Sequence, residues 1–277
     1  MRYSVLITGC SSGIGLEAAK MLQERNFLVV ASCRKQEDVE RLKSEGIEHV
    51  VQLDLADSAS IAQGLKDTLE ITQGSLFALF NNGAYGQPGA VEDLPVAVLK
   101  EQFESNFFGT HELTCLVLKL MHEQGYGRIV NNSSVLGLVA APFRGAYNAS
   151  KFALEGLTDT MRLELMGSPI KVSLIEPGPI ESKFRPNALA ALKKNIDVKN
   201  SRHQAGYEEA IERLSKEGPV SSQTLPAGAV VKKLIHALES PRPRARYYVT
   251  LPTYGAGMMR RLLPTCLLDW VMAKQGA

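Results

Sequence analysis

Apolar and polar positions alternate along the chain in two periods, and together they predict a fold class. Short apolar runs, several rich in branched residues, lie at 3–8, 27–32, 50–53, 76–80, 128–132, 171–175 and 247–251. Such runs are typical of buried strands. Between them, apolar residues recur every three or four positions, as at Leu154, Leu157 and Met161, which indicates helices with one buried face. Strands that alternate with helices predict an α/β protein with a doubly wound parallel sheet and helices on both faces.

The first predicted strand runs directly into a glycine turn, TGCSSGIG. Gly9, Gly13 and Gly15 let the backbone approach a pyrophosphate closely, and the helix that follows directs its free amides at the phosphates. A tight strand–helix connection is the alternative interpretation of a glycine turn alone. Its place at the start of a strand–helix series favours a dinucleotide site.

The stretch SVLGLVAAPFRGAYNASK, at 134–151, carries the candidate chemistry. In a helix, Tyr147 and Lys151 stand one above the other on one face. A lysine charge about 4 Å away, at an effective dielectric of about 20, favours the phenolate by about 4 kcal/mol. We therefore expect a tyrosine that passes protons near neutral pH, with the Ser134 hydroxyl beside it. The alternative is an ordinary helix tyrosine and a solvated lysine.

With its downstream flank FALEGL, this stretch resembles the catalytic segment of the classical short-chain dehydrogenases/reductases, and TGCSSGIG resembles their glycine turn. The resemblance is nearest to the branch that holds NADPH-dependent aldehyde reductases, retinol dehydrogenases and 17β-hydroxysteroid dehydrogenases. It implies a Rossmann fold in a single domain over 1–277. It also implies that Tyr147 is the general acid/base, that Ser134 orients the substrate oxygen, and that Lys151 lowers the pKa of Tyr147 and holds the nicotinamide ribose.

Two further positions are assigned by the resemblance with an alternative left open. Asn106, in a helix predicted over 101–120, matches an asparagine that interrupts this helix and holds a water near the lysine. A buried asparagine satisfied by backbone is the alternative. Asp54 matches a residue near the adenine, although an Asp after a strand is more often a cap or turn former.

The resemblance also implies the residues of the cofactor site, which lie at the carboxyl ends of the predicted strands. Its residues are Gly9, Ser11, Ser12, Gly13, Ile14, Gly15, Arg34, Lys35, Asp54, Leu55, Asn81, Asn82, Gly83, Tyr147, Lys151, Pro177, Gly178, Ile180 and Ser182. The turn at 81–84 reads N-N-G-A where the family reads N-N-A-G. Ala84 would be strained by about 1–2 kcal/mol if that place requires a left-handed conformation.

The end of the second strand indicates the form of the cofactor. An NAD-binding protein places an acidic residue there, whereas this chain reads Cys33-Arg34-Lys35. A guanidinium matches a phosphate with its planar fork. We therefore predict NADP(H), with Arg34 as the main contact and Ser11 and Lys35 as helpers. An arginine that is only a surface charge is the alternative.

Composition narrows the partners. The chain has 277 residues, 45% hydrophobic and 22% charged, with a net charge of +2, which gives no reason to propose nucleic acid. The four cysteines lack metal or disulfide spacing, so we expect no metal. We also expect a cytoplasmic protein, because neither a signal peptide nor a membrane-spanning run stands out. The resemblance implies a homodimer or homotetramer, with two helices that carry apolar stripes at the interface. Burial of these stripes within one subunit is the alternative.

Two segments and four side chains bear on the substrate. We predict that 183–225, which is polar, is a lid, with a solvated surface excursion as the alternative. The amphipathic, basic segment at 254–277 is expected to pack on its own domain or close a substrate channel rather than bind a membrane surface. The residues predicted to line the substrate site are Tyr85, Leu136, Val139 and Phe143.

These apolar and aromatic side chains favour the reduction of a lipophilic aldehyde or ketone. The sequence thus predicts an NADP(H)-dependent oxidoreductase that moves a hydride between nicotinamide and a carbonyl or alcohol. A non-catalytic NADP-binding redox sensor is the alternative from another class. A broken catalytic set would mark such a sensor, and Ser134, Tyr147 and Lys151 are all present.

Overall fold

Seven parallel strands form one sheet in the computed structural model, which describes residues 2–218 and 221–274. The strands are β1 Ser4–Ile7, β2 Leu28–Cys33, β3 His49–Gln52, β4 Ala78–Asn81, β5 Gly127–Asn132, β6 Ile170–Glu176 and β7 Arg246–Tyr248. Their order in space is β3-β2-β1-β4-β5-β6-β7, which reverses direction between β1 and β4. The predicted doubly wound α/β class is confirmed, and ligands of such sheets bind outside the strand ends at this switch point.

Helices cover both faces of the sheet. They are α1 Gly13–Glu24, α2 Gln36–Ser44, α3 Ser58–Ile71, α4 Val96–Phe103, α5 Gly109–Gln124, α6 Gly145–Glu164, α7 Phe184–Asn195, α8 Gln204–Ser215, α9 Gly228–Glu239, α10 Leu251–Leu262 and α11 Thr265–Ala273. The helix predicted over 101–120 is divided by a π-helical turn, Glu104–Phe108. The last strand is shorter than predicted: Leu251 already begins α10, whose first turn accommodates Pro252.

The core lies in two layers, one on each side of the sheet. Strand β1 shows the division, because Val5 and Ile7 pack in the layer with α1 and α9, and Leu6 packs in the opposite layer with α3 and α5. All three side chains are fully buried. Burial on both faces explains why the strands read as continuous apolar runs.

The last third of the chain adds a third region above the strand ends. Within the predicted lid, α7 and α8 pack around the fully buried Tyr207, and residues 219 and 220 of that segment lie outside the described residues. Helices α10 and α11 pack on Val139 through Ala256 and Leu268, and residues 275–277 of the predicted amphipathic segment likewise lie outside. None of the helices described combines the length and apolarity that crossing a bilayer requires.

Candidate active site

A cavity of about 910 Å³ opens at the carboxyl ends of the strands. It extends from the glycine turn to the start of α6 and is within the usual size of ligand sites. The predicted site residues that line it are Gly9, Ser11, Ser12, Gly13, Ile14, Asn82, Gly83, Ser134, Leu136, Val139, Tyr147, Lys151, Pro177, Gly178, Ile180 and Ser182. Those that do not are Gly15, Arg34, Lys35, Asp54, Leu55, Asn81, Tyr85, Asn106 and Phe143.

The glycine turn fits a pyrophosphate. Gly9 has a φ of 71°, and a Cβ there would lie 2.6 Å from the Cα of Gly83. A Cβ on Gly15 would lie 2.3 Å from the carbonyl oxygen of Gly9, so the turn and α1 approach each other only without side chains. Ser12, which caps α1, makes no side-chain hydrogen bond to the first turn. The amides of that turn therefore remain for an anion in the cavity.

Asn82 fixes the turn to the neighbouring strands. Its Nδ2 donates to the carbonyl oxygen of Thr8 at 3.0 Å, and its Oδ1 accepts from Nδ2 of Asn132 at 2.9 Å. The Thr8 hydroxyl accepts from the amide of Gly83 at 2.9 Å. These bonds place the ends of β1, β4 and β5 in one hydrogen-bonded group below the cavity.

The expected strain at Ala84 is not present. Among the described non-glycine residues, a left-handed φ occurs at Asn26, Gln73 and Phe143 only. Gly83, not Ala84, meets Gly9 at close range, so the exchanged order N-N-G-A places the glycine where the backbones touch. The turn accommodates alanine without a backbone penalty.

Four of the predicted cofactor residues that do not line the cavity differ in their surroundings. Asn81 is buried, and its amide donates to Thr114 and Asn131 at 2.8 Å each, so it joins β4 to β5 and α5 below the cavity. Asp54 accepts from the amide of Ala56 at 3.0 Å, as the turn-forming alternative expects. Leu55 is also buried, whereas Arg34 is exposed at the end of β2.

Two residues that were predicted to line the substrate site do not line this cavity. Phe143 packs its ring edge-on to Tyr207 with centroids 5.1 Å apart, in the apolar cluster of α7 and α8. Phe143 has a φ of 58°, which lies in the left-handed region that non-glycine residues rarely adopt. Tyr85 is not among the residues that line the cavity, and its main-chain amide and carbonyl both bond to Asn106. Leu136 and Val139 remain in the lining.

Helix α6 places Tyr147 and Lys151 one turn apart, with the Lys151 Nζ 5.7 Å from the centre of the tyrosine ring. Lys151 is buried and donates to the main-chain oxygen of Asn132 at 2.7 Å. Ser134 follows β5 and accepts from the amide of Leu136 at 3.1 Å. The three predicted catalytic side chains therefore meet at one wall of the cavity.

The electrostatics of this group differ from the sequence-based expectation. Burial raises the pKa of Tyr147 to about 12, and a hydrogen bond with Ser134 opposes this rise. Burial also lowers the pKa of Lys151 to about 8, against the charge of Glu155. In this structure burial outweighs the Ser134 hydrogen bond, so the pKa of Tyr147 is shifted upwards, opposite to the direction that the sequence predicted.

Asn106 lies in the π-helical turn between α4 and α5 and is buried. Its Oδ1 accepts from the amide of Tyr85 at 3.1 Å, and its Nδ2 donates to the Tyr85 carbonyl at 2.8 Å. A further contact reaches the Ser150 hydroxyl at 3.4 Å. These are the contacts of the backbone-satisfied alternative, and they fix the chain that leaves β4.

Sequence reasoning missed several residues of the cavity. Phe184, at the start of α7, meets the Tyr147 ring edge-on with centroids 5.2 Å apart. Arg144 and Arg213 line the same cavity. Arg144 could have been predicted to lie near the site, because it is three residues before Tyr147 in the sequence. Phe184 and Arg213 come from a segment without a strong hydrophobic period, so nothing in the sequence indicated the same for them.

A doubly wound sheet with this turn and this side-chain group defines a dinucleotide-binding oxidoreductase, and comparisons with known proteins agree. The family model for short chain dehydrogenase matches residues 3–193. The chain is 42% identical over 272 residues to the uncharacterized oxidoreductase YbbO of Escherichia coli K12, covering 98% of this chain and 94% of that one. It therefore belongs to the short-chain dehydrogenase/reductase family.

Two further proteins show the range of the similarity. Human retinol dehydrogenase 8 is 40% identical over 196 residues, which cover 68% of this chain and 62% of that protein. A short-chain dehydrogenase/reductase from Burkholderia phymatum, solved in complex with NAD, superposes with a TM-score of 0.78 at 24% identity, over 100% of this chain and 96% of that one. The latter similarity shows the fold.

Proposed function

We propose that this protein reduces a lipophilic aldehyde or ketone with NADPH. One observation carries the proposal: Ser134, Tyr147 and Lys151 meet at the wall of a cavity that continues to the glycine turn. A bound nicotinamide supplies the hydride, and the glycine turn and the first turn of α1 hold the dinucleotide phosphates.

The protein's own residues complete the reaction. The Ser134 hydroxyl donates to the carbonyl oxygen and orients it, and Tyr147 gives its proton to that oxygen as negative charge develops there. With a pKa raised to about 12, Tyr147 holds its proton at neutral pH and is suited to the acid role that reduction requires. Lys151, when charged, stabilises the phenolate left behind.

The preference for NADP(H) is supported by the end of β2. Arg34 is exposed there, without an ion pair among the described residues, while Lys35 pairs with Glu37 at 2.8 Å. Arg41 donates to the main-chain oxygen of Ser11 at 2.8 Å, but its charge is balanced by Asp38 and Glu45, so Arg34 is the cation that carries this proposal. Equal or better catalytic efficiency with NADH than with NADPH would refute this preference.

A lipophilic substrate is supported by the walls near Tyr147. Leu136 and Val139 line the cavity together with Phe184, Met259 and Met272. Phe184 belongs to the 183–218 segment, and Met259 and Met272 belong to α10 and α11. Both late segments therefore cover the substrate end of the cavity, as a lid and a channel wall would. The similarity to retinol dehydrogenase 8 supports a substrate of similar character.

The test is turnover by the purified protein. With NADPH and a panel of aldehydes and ketones, we expect loss of absorbance at 340 nm, and Tyr147→Phe is expected to reduce kcat by about 10²–10⁴-fold with NADPH affinity unchanged. A protein that binds NADPH without turning over any carbonyl would be the redox sensor instead. Substantial activity in the Tyr147→Phe variant would contradict the role of the tyrosine.

The proposal extends to assembly through α5 and α6. Phe108, next to α5, is 49% exposed, and Phe152 on α6 is 37% exposed. Met161 is buried within the subunit, so only part of the predicted stripe remains for a partner. Light scattering is expected to give the mass of a dimer or tetramer, and a monomer across micromolar concentrations would contradict this.

A further inference from the structure

The charges that line the cavity are of one sign. They belong to Arg144, Lys151, Lys183, Arg185, Arg213 and Lys274, and the described residues of the lining include no Asp or Glu. The whole chain is nearly neutral, with 31 basic and 29 acidic side chains. Acidic residues are thus absent from this lining although they are common elsewhere, which creates a positive potential inside the cavity.

Two of these cations lack partners. Within residues 2–218 and 221–274, neither Arg144 nor Arg213 has a carboxylate within ion-pair distance or a side-chain hydrogen bond. The Nε of Arg213 is fully buried and unsatisfied. Burial lowers the pKa of Arg144 to about 10, and the charge of Arg213 contributes to this lowering. Arg185 acts on Arg213 in the same direction, lowering its pKa.

Such an arrangement is unfavourable without an anion. Removing a cation from water costs free energy unless an opposite charge or hydrogen-bond acceptors replace the water, and two neighbouring cations repel each other. A guanidinium binds carboxylate, sulfonate or phosphate oxygens with two parallel hydrogen bonds. Arg144 and Arg213 therefore form a site prepared for an anionic group.

The position of Arg144 assigns this site to the substrate end of the cavity. Arg144 immediately precedes α6, which carries Tyr147, and it pairs with Gly89 in an isolated bridge. Nearby, a Cβ on Gly86 would lie 2.5 Å from the ring of Phe184, which itself contacts Tyr147. The dinucleotide phosphates have their own site at Gly9 and α1.

We propose that Arg144 and Arg213 bind an anionic group that the carbonyl substrate carries. The substrate is then an amphiphile: a carbonyl at Tyr147, an apolar portion along the lining, and a carboxylate, sulfonate or phosphate at the two arginines. This rests on the proposed function and narrows its substrate class. A cofactor phosphate offers the same chemistry, so the experiments separate the two sources.

Binding without turnover gives the first test. Octanoate is expected to raise the melting temperature of the cofactor-free protein by several degrees, and 1-octanol at the same concentration to raise it less. Arg213→Gln and Arg144→Gln should each remove the difference between the two ligands. Arg260→Gln, which removes an exposed arginine outside the lining, should retain it. Equal shifts by octanoate and octanol in the wild type would overturn the proposal.

Kinetics gives the second test. With NADPH, we expect 8-oxooctanoate to be reduced with a kcat/KM at least about tenfold above that of octanal, since one charge-assisted contact has that worth. Arg213→Gln should bring the ratio towards one, chiefly through KM, and Arg213→Lys should restore part of it. A ratio unchanged by Arg213→Gln and Arg144→Gln would overturn the proposal.

The cofactor arm distinguishes the sources of the anion. The Kd of NADPH should be unchanged in Arg213→Gln, whereas a tenfold rise with an unchanged substrate ratio would assign the arginines to a cofactor phosphate and overturn the proposal. If no carbonyl is turned over while octanoate still binds through Arg213, the reductase function fails and the anion site stands.

Discussion

Arg246 and the pair Arg144 and Arg213 differ in whether carboxylates of the protein balance their charge. Arg246, on β7, donates to Glu176 and to Asp159 at 2.6 Å each and also pairs with Glu155. Arg144 and Arg213, in the cavity, have no carboxylate partner among the described residues. Both groups are largely removed from water, yet only the first has its charge balanced by the protein.

The difference indicates what each group does. Glu176 is fully buried and Glu155 nearly so, and burial raises the pKa of both carboxyls. Arg246 opposes this rise in both pKa values, and the network joins β6, β7 and α6. A paired buried charge stabilises the fold, whereas an unpaired one in a cavity serves a ligand. The following predictions separate these roles.

The largest effect is expected from Arg246→Met. Removing this cation leaves buried carboxylates without a partner, which should lower the free energy of unfolding by about 3–5 kcal/mol. Urea denaturation at neutral pH measures this change. The loss should be smaller at acid pH, because Glu155 then takes up a proton, whereas Glu176, with a pKa raised to about 8, already holds one at neutral pH. A variant as stable as the wild type would show that the network contributes no stability.

The pH dependence of the reaction is expected to follow Lys151, a buried cation whose charge is only partly balanced, by Glu155. Its pKa is lowered to about 8, so the charged form prevails below that pH and is lost above it. Under saturating NADPH, the kcat of carbonyl reduction should therefore be nearly constant below pH 8 and fall by up to about tenfold per pH unit above it. A rate that rises through this range would contradict the role of the lysine charge.

Glu155→Gln gives the matched control for that profile. The Glu155 carboxylate, one helical turn beyond Lys151, favours the charged lysine. Without it, the alkaline fall in rate should begin at a lower pH, by about half to one unit. A merely structural role for Glu155 would lower stability without moving the profile.

The smallest effect is expected from Arg213→Gln on stability. This arginine repels Arg144 and forms no ion pair in the described structure, so its removal should leave the free energy of unfolding within about 0.5–1 kcal/mol of the wild type, with any change towards greater stability. The same urea measurement applies. A loss comparable to that of Arg246→Met would show that Arg213 is a structural residue.

The features of the fold and the site that could be predicted are those set by residues close together in the sequence. The neighbouring positions of Tyr147 and Lys151 follow from helix geometry alone, and the turn through Gly9 follows from backbone conformation, so both were predictable. The doubly wound parallel class followed from the alternation of strand and helix periods.

The features that were not predictable depend on contacts between distant segments. The high pKa of Tyr147 results from burial, and one of its neighbours, Phe184, comes from a region with weak periodicity. Phe143 was expected in the cavity, but Tyr207 provides a ring for it elsewhere. The unpaired state of Arg213 is visible only when the positions of all carboxylates are known.

The π-helical turn at Glu104–Phe108 has a consequence for the length of this part of the chain. The turn contains one residue more than a regular α-helical turn. This extra residue determines the direction in which Asn106 projects from the helix, towards the main chain of Tyr85. Deleting a single residue there would return this part of the chain to regular α-helical hydrogen bonding. Asn106 would then lose the position from which it bonds the main chain of Tyr85, so we expect a one-residue deletion to disturb this wall of the site more than one in a flanking loop.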